Sequence, residues 1–169
     1  MPLSMHQASI PVFVRGLTVL SGLLRKGEAH ARENGLDPAD LIGARLAPDM
    51  LPLSGQVQRA SDTSKLSGVR LSGVAAPSFP DTETTFPELQ ERIAKTVAYL
   101  DSIPPDALDG SEGRSVELSF GSRKPTFRGD SYLLTFALPN FYFHVTTAHG
   151  ILRHKGVKVG KADFLSPAD

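Results

Sequence analysis

Cysteine is absent from all 169 residues, and neither sign of charge is in excess. Without a thiol, the chain cannot form a disulfide, a thiolate metal site or a cysteine nucleophile. Lysine and arginine together number 18, as do aspartate and glutamate, so the formal net charge is zero with histidine neutral. A balanced chain has no general electrostatic attraction to nucleic acid or to an anionic membrane. We therefore expect neither of them as a partner.

Leader and membrane-spanning segments are also lacking. The opening MPLSMHQASIP has no basic region followed by an apolar one, so we expect no secretory signal. We find no apolar stretch long enough to span a bilayer. Neither a glycine-rich phosphate loop nor a Gly-x-Ser-x-Gly sequence is present. Length and composition then predict a single cytoplasmic domain over residues 1–169.

Apolar residues at helical spacing are the main feature that is present, and they predict four long helices. The first covers about residues 4–34, and Pro11 either delays the regular helix to near Ser9 or bends it. Asp37 then caps a short helical turn. The second long helix covers residues 48–72 and has one narrow apolar face in an otherwise polar sequence.

The second half of the chain contains a different pattern between its two helices. The third helix opens at Thr85 with the spacing of a capping box. Residues 115–128 alternate apolar and polar around a turn, which is the pattern of a β-hairpin. The fourth helix covers about residues 130–155, with Asp130 as its cap and a bend at Pro139. These elements predict an all-α fold, a four-helix bundle with a small β-hairpin inserted before the last helix.

Two polar residues interrupt the apolar stripe of the fourth helix. The residues that share this face at helical spacing are Leu133, Phe136, Asn140, His144, Thr147 and Ile151. Asn140 and His144 lie one turn apart, so their side chains can converge on one point inside the bundle. They either form a site or hydrogen-bond each other and a partner such as Gln56 or Asp62. Gln56 has the helical spacing of an inward residue, whereas we expect Asp62 on a solvated face.

Other candidates are weaker. His144, His149 and His154 are spaced by five residues, which turns each away from the next by about 140°, so they cannot form one metal site. Arg45 precedes the second helix and either pairs with Asp81 or Glu83 or holds an anionic ligand at the mouth of the bundle. Four basic residues of the hairpin region are interrupted by acidic ones, and we interpret them as ordinary surface.

Several segments, taken in order, resemble a known bacterial family. They are SMHQASIPVFVRGL, ARLAPDMLPLSGQVQRASD, DTETTFPELQERI and FALPNFYFHVTTAHGILRHKGVKVGKADF. This order resembles the domain of unknown function nineteen ninety-three, a branch of the DinB/YfiT-like superfamily. The resemblance covers nearly the whole chain, and it implies an up-down-down-up four-helix bundle that forms a homodimer.

The resemblance also implies where a metal would bind. Many DinB-like proteins hold a divalent metal with three histidines, one on the second helix and two that are one turn apart on the fourth. The Asn140 and His144 pair has the spacing of the fourth-helix pair, with asparagine in place of the first histidine. The second helix contains no histidine, and Gln56 is the best candidate for that position. Amide oxygens are weak ligands for zinc or nickel, so the set is a poor metal site.

Two functions are expected from this pattern. In the first, the protein is a non-catalytic bundle in which a degenerate metal site has become a polar cluster or a small-ligand pocket, with Gln56, Asn140, His144 and Arg45 as binding residues and no cofactor. The alternative is a metal-dependent transferase or hydrolase of the DinB-like type that uses His144 as a ligand for zinc or nickel. Metal content would distinguish these two. A third possibility is a purely structural dimer with no ligand, which a closed, fully packed pocket around His144 would favour.

Overall fold

The structure is a computed structural model, and it describes residues 3–165. Its helices are α1 (Met5–Asn34), α2 (Pro38–Ile42), α3 (Leu53–Ser72), α4 (Phe86–Asp101), α5 (Gly129–Tyr132), α6 (Leu138–His154) and α7 (Lys161–Leu165). A π-helical turn, Leu133–Ala137, joins α5 to α6, and two 3-10 turns, Pro105–Leu108 and Ser111–Gly113, follow α4. Strands β1 (Ser115–Glu117) and β2 (Thr126–Arg128) pair antiparallel, with Val116 opposite Phe127. The predicted four long helices and hairpin are confirmed.

The directions of the long helices follow from which residues meet. In the pair α3 and α4, the Ser61 hydroxyl bonds that of Thr96, and Gly68 lies against Ile103 further along, so these helices are parallel. In the pair α3 and α6, Gln56 meets His144 while Thr63 meets Asn140, so these helices are antiparallel. The fold is therefore the expected up-down-down-up bundle.

The parallel arrangement of α3 and α4 requires a connection that returns along the bundle. Residues 73–85 form this connection, which we call the return loop. Its Val74 carbonyl accepts from Tyr99 near the end of α4, and its Pro80 carbonyl accepts from Arg92 nearer the start. The return loop therefore runs back beside α4, and side chains of that helix hold it there.

The first helix starts close to its predicted position, whereas the predicted start of the second long helix is wrong. A capping box between Ser4 and Gln7 begins α1 at Met5, so the helix is not delayed to Ser9 and is continuous through Pro11. The second long helix begins at Leu53 rather than at residue 48, with Pro52 as its N-cap. The ring of a proline disfavours helical backbone in the residue before it, so the helix cannot extend to Leu51.

The last long helix also starts differently from the prediction. Arg128, not Asp130, is the N-cap, and the Asp130 carboxylate lies in the first turn, where it accepts from the Ser131 backbone N–H at 2.7 Å. Pro139 is accommodated by the π turn that comes just before it. Proline has no N–H to donate and its ring clashes with the preceding turn, and a wider turn relieves both problems.

The longest helix, α1, supplies much of the core. By length and composition it could cross a membrane, contrary to the expectation from the sequence, but half of its most apolar window is buried inside the bundle. Phe13 packs edge-on against Phe141 of α6 with ring centroids 5.1 Å apart. Gly16 permits this contact, because a Cβ there would lie 2.3 Å from the Phe141 ring. In the structure the apolar face of α1 is therefore the interior of the bundle.

Candidate functional site

The polar residues of α6 lie at the edge of its packing on α3 rather than in the core. The fully buried line of the last helix is Leu133, Ala137, Phe141, Val145, Ala148 and Leu152. Asn140 and His144 are half-buried beside this line, as is Phe136. Phe136, Asn140 and His144 are thus not on the fully buried line as predicted, because the π turn adds one residue after Leu133 and shifts the line to Ala137, Phe141 and Val145. Only the ends of the predicted stripe, Leu133, Thr147 and Ile151, are buried as predicted.

His144 is held by a buried amide. Its Nδ1 lies 2.8 Å from Oε1 of Gln56, and Nε2 of Gln56 donates to the Leu51 carbonyl at 3.1 Å. Gln56 is only 2% exposed, so its predicted inward orientation is confirmed. The chain from the Leu51 carbonyl through Gln56 to His144 connects the start of α3 to α6.

Asn140 has a different partner, which was not predicted from the sequence. Its Nδ2 donates to Oγ1 of Thr63 at 2.8 Å. No hydrogen bond joins Asn140 to His144 in the described residues, so the predicted mutual bond is wrong. The four-residue step from Asn140 to His144 along α6 spans about 6 Å, whereas their partners Gln56 and Thr63 are about 10 Å apart on α3. The two side chains therefore diverge toward α3 and do not converge.

Each of these side chains has one atom free. Within residues 3–165, Ser111 Oγ is the single buried side-chain nitrogen or oxygen without a hydrogen-bond partner. Nε2 of His144 and Oδ1 of Asn140 have no such partner in that part of the chain either, so both must reach solvent. The side chains of Asn140 and His144 are hydrogen-bonded on the side that faces α3 and reach solvent on the other side. We call Gln56, Thr63, Asn140 and His144 the α3–α6 pair site.

Burial sets the charge of this site. It lowers the pKa of His144 from 6.5 to about 4, and the nearby Arg59 guanidinium acts on the pKa in the same direction. The imidazole is therefore neutral at neutral pH and is available as a hydrogen-bonding group rather than as a cation.

Arg45 lies outside the site, and its predicted ion pairs are wrong. The side chain is exposed and donates to the Met50 carbonyl of its own loop at 2.9 Å. The two carboxylates expected to pair with it, Asp81 and Glu83, contact Arg92 of α4 instead, each at 3.0 Å. They do so because the return loop carries them back across α4.

A buried ionic network surrounds Arg92, and it was not predicted from the sequence. The Arg92 side chain is 1% exposed and reaches the Asp62 carboxylate at 2.9 Å, so Asp62 does not lie on a solvated face as predicted. It also donates to Ser61 and to the Pro80 carbonyl, each at 3.1 Å. Arg59 pairs with Asp62 and Asp81, and the buried Lys65 ammonium lies 3.4 Å from Asp62. We call this group the Arg92 network; its three cations balance the carboxylates Asp62, Asp81 and Glu83.

Comparison with known proteins agrees with this architecture. The family model for a domain of unknown function (DUF1993) matches residues 5–165. The chain belongs to the DUF1993 family. The crystal structure of a DinB family member from Shewanella denitrificans superimposes on it with a TM-score of 0.88, at 36% sequence identity, over 97% of this chain and 93% of that one. No curated protein matches the chain significantly.

The residues of this DUF1993 protein do not fit the metal that DinB-like folds imply. Among the residues that the structure describes, no group of three histidine, cysteine or acidic side chains is placed to hold a metal ion. Both polar atoms of Gln56 are already in hydrogen bonds, to His144 and to Leu51, so neither is open for a metal ion in this arrangement. One imidazole and one amide oxygen are left, and they are too few and too weak for zinc or nickel.

Proposed function

We propose that this DUF1993 protein binds a small organic molecule at the α3–α6 pair site and is not a metal-dependent enzyme. The observation that carries the proposal is the 2.8 Å contact between His144 Nδ1 and Gln56 Oε1. This contact fixes the ring while its other nitrogen stays free. The free nitrogen faces solvent, so a ligand can reach it.

The chemistry of the site supports binding of a polar group with an apolar body. Nε2 of His144 and the Asn140 amide offer hydrogen bonds one helical turn apart. Phe143 packs edge-on against the His144 ring, with the centroids 5.4 Å apart, and is 56% exposed. A few placed polar groups beside apolar surface are typical of small-molecule sites. Arg45, which donates to the Met50 carbonyl of its own loop, is not included in this proposal.

A fragment titration followed by NMR tests the proposal. Uniformly ¹⁵N-labelled protein is titrated with small neutral amides, ureas and alcohols, and we expect saturable shifts at His144, Asn140 and Thr63. His144→Ala should abolish these shifts. His154→Ala is the matched control, since His154 is exposed in the last turn of α6, and it should leave them unchanged. Shifts that persist in His144→Ala would contradict the assignment of the site.

Metal analysis tests the rejected alternative, a transferase or hydrolase that uses His144. Protein purified without a histidine tag or chelator is analysed for its elements and melted with added zinc, nickel or manganese. We expect no near-stoichiometric metal and no stabilisation. Stoichiometric metal that is lost in His144→Ala would overturn the proposal and support the metal-dependent transferase or hydrolase.

The cytoplasmic location and the homodimer stay predictions. Sedimentation of the purified protein over a range of concentrations would test self-association. Neither prediction is needed for the small-molecule site.

A further inference from the structure

The orientation of the Gln56 amide is forced by its surroundings. A backbone carbonyl can only accept a hydrogen bond, so the group that faces the Leu51 oxygen at 3.1 Å must be the NH₂ of Gln56. Its Oε1 therefore faces His144 Nδ1 at 2.8 Å. Because this oxygen can also only accept, Nδ1 must carry the proton.

The tautomer of His144 follows from the same geometry. A neutral imidazole has one N–H and one lone pair, and the hydrogen bond at one nitrogen decides where the proton lies. With Nδ1 protonated, the solvent-facing Nε2 presents its lone pair. At this position the site therefore offers a hydrogen-bond acceptor to a ligand.

We propose that Gln56 is a positioning residue that locks His144 in the Nδ1–H tautomer, so that the site takes ligands with an N–H or O–H donor and rejects carboxylates. This inference rests on the proposed function and names the ligand class of the same site. A carboxylate brings only lone pairs to Nε2, and like dipoles repel. A primary amide can donate one N–H to Nε2 and the other to the free Oδ1 of Asn140, whereas an alcohol can donate its single O–H to one of these two acceptors.

The depressed pKa of His144 supports this selectivity. Its low value, caused by burial and then by Arg59, prevents the ring from accommodating an anion by taking up a second proton near neutral pH. The selectivity is therefore a property of the residues behind the ring, not of the ring alone.

The first experiment reads the tautomer without any ligand. Long-range ¹H–¹⁵N correlation spectra distinguish a protonated ring nitrogen from one with a lone pair, and His144→Ala identifies the signals of His144 among the five histidines. We expect Nδ1 protonated and Nε2 unprotonated at neutral pH. In Gln56→Met, which has similar length but no polar atom, we expect the signals to move toward a mixture of both tautomers. An Nε2–H ring in the unmodified protein would overturn the inference.

The second experiment reads the ligand class with acetamide and acetate as the probes. We expect acetamide to shift the His144 ring signals and acetate to leave them in place. Gln56→Glu places a carboxylate behind Nδ1, favours the imidazolium, and should reverse this order. Gln7→Glu is the control, because it makes the same chemical change in an exposed capping box.

The outcomes separate the inference from the proposed function. Equal response to both probes, with the expected tautomer, would overturn the selectivity but leave the binding site. No response to either probe would overturn the proposed function and the ligand class together, while the tautomer result stands by itself. If Gln56→Glu does not fold, the tautomer observed in Gln56→Met still shows whether Gln56 fixes the proton on Nδ1 of His144.

Discussion

Helix α3 carries two polar clusters, one on each side, and they differ in how completely they are satisfied. Toward α4, the Arg92 network is fully charged, and Arg92 itself has partners in Asp62, Asp81, Glu83, Ser61 and Pro80. Toward α6, the pair site is neutral and each of its α6 side chains has one atom free. A closed network positions the chain, whereas an open one is available to a ligand. In the site that we propose, unmatched atoms at the surface rather than charge are the distinguishing feature.

The two clusters also differ in what they hold in place. The Arg92 network fixes the return loop on the parallel helices α3 and α4, and Lys65 lies 4.4 Å from the centre of the Phe79 ring in that loop. The pair site connects two helices that are packed closely in any case. Removing a member of the network should therefore disturb the fold, and removing a member of the pair site should disturb binding.

Loss of Arg92 should give the largest effect. Arg92→Met leaves Asp62 and Glu83 without their buried cation, and we expect a decrease of about 3–5 kcal/mol in the free energy of unfolding. Chemical denaturation measures it. Lys95→Met is the control, since Lys95 lies on the same helix and pairs only with Glu91, both with half-exposed side chains, and should change stability by less than about 0.5 kcal/mol. A small effect of Arg92→Met would mean that the network does not hold the fold.

Acid should affect the two clusters in separate pH windows. The pKa of His144 is about 4 in the folded chain against 6.5 when unperturbed, so the unfolded state binds more protons between these values. Stability should fall by roughly 2 kcal/mol as the pH drops from 6.5 to 4, a figure reduced for partial exposure of the ring. His144→Asn, which cannot titrate there, should flatten this slope. An unchanged slope would contradict the assignment.

The Arg92 network should respond at lower pH. Burial raises the pKa of Glu83, but hydrogen bonds from Gln58 and Arg92 outweigh it, and the pKa lies below its ordinary value. The carboxylate therefore stabilises the fold above its ordinary pKa, and this contribution is lost as the pH falls through the folded value. Glu83→Gln should remove that loss and leave the His144 window intact, as pH-dependent denaturation would show.

Thr63 should give a smaller effect that is confined to the pair site. Thr63→Val keeps the shape but removes the hydroxyl that holds Asn140, and we expect a decrease of about 1 kcal/mol in stability. Acetamide should still shift the His144 ring, with weaker affinity. Thr146→Val, at an exposed position of α6, is the control and should change neither property. Full loss of binding in Thr63→Val would place the site nearer to Asn140 than to His144.

Much of the fold could be predicted because its signals are local. The capping box at Thr85, the cap at Asp37 and the apolar spacing of α1 depend only on neighbouring residues, and all three lie where expected. The face of α6 could not be predicted in the same way. A π turn adds one residue to a turn of the helix, and the sequence LLTFA has no feature that predicts it. The stripe drawn through Phe136 therefore rotated Asn140 and His144 too far inward.

The Arg92 network could not be predicted because it depends on the path of the return loop. On α4, Arg92, Thr96 and Tyr99 form a buried line beside the apolar residues, and this line faces α3. A signal was present in the small residues of α3 that face α4, since Ser61 bonds Thr96 and Gly68 lies against Tyr99. In the pair site, Gln56 and His144 were predicted together, whereas Thr63 was missed because a threonine on a polar helix carries no distinctive pattern.

The most direct test of the contrast between the clusters is the free energy of unfolding of His144→Ala, measured beside that of Arg92→Met, with the acetamide response recorded on the same samples. The account predicts a decrease of about 1 kcal/mol or less for His144→Ala, because water can reach the vacated position, together with complete loss of the response. A decrease as large as that of Arg92→Met, in a parent protein that shows no acetamide response, would contradict it. His144 would then be part of the scaffold, as Arg92 is.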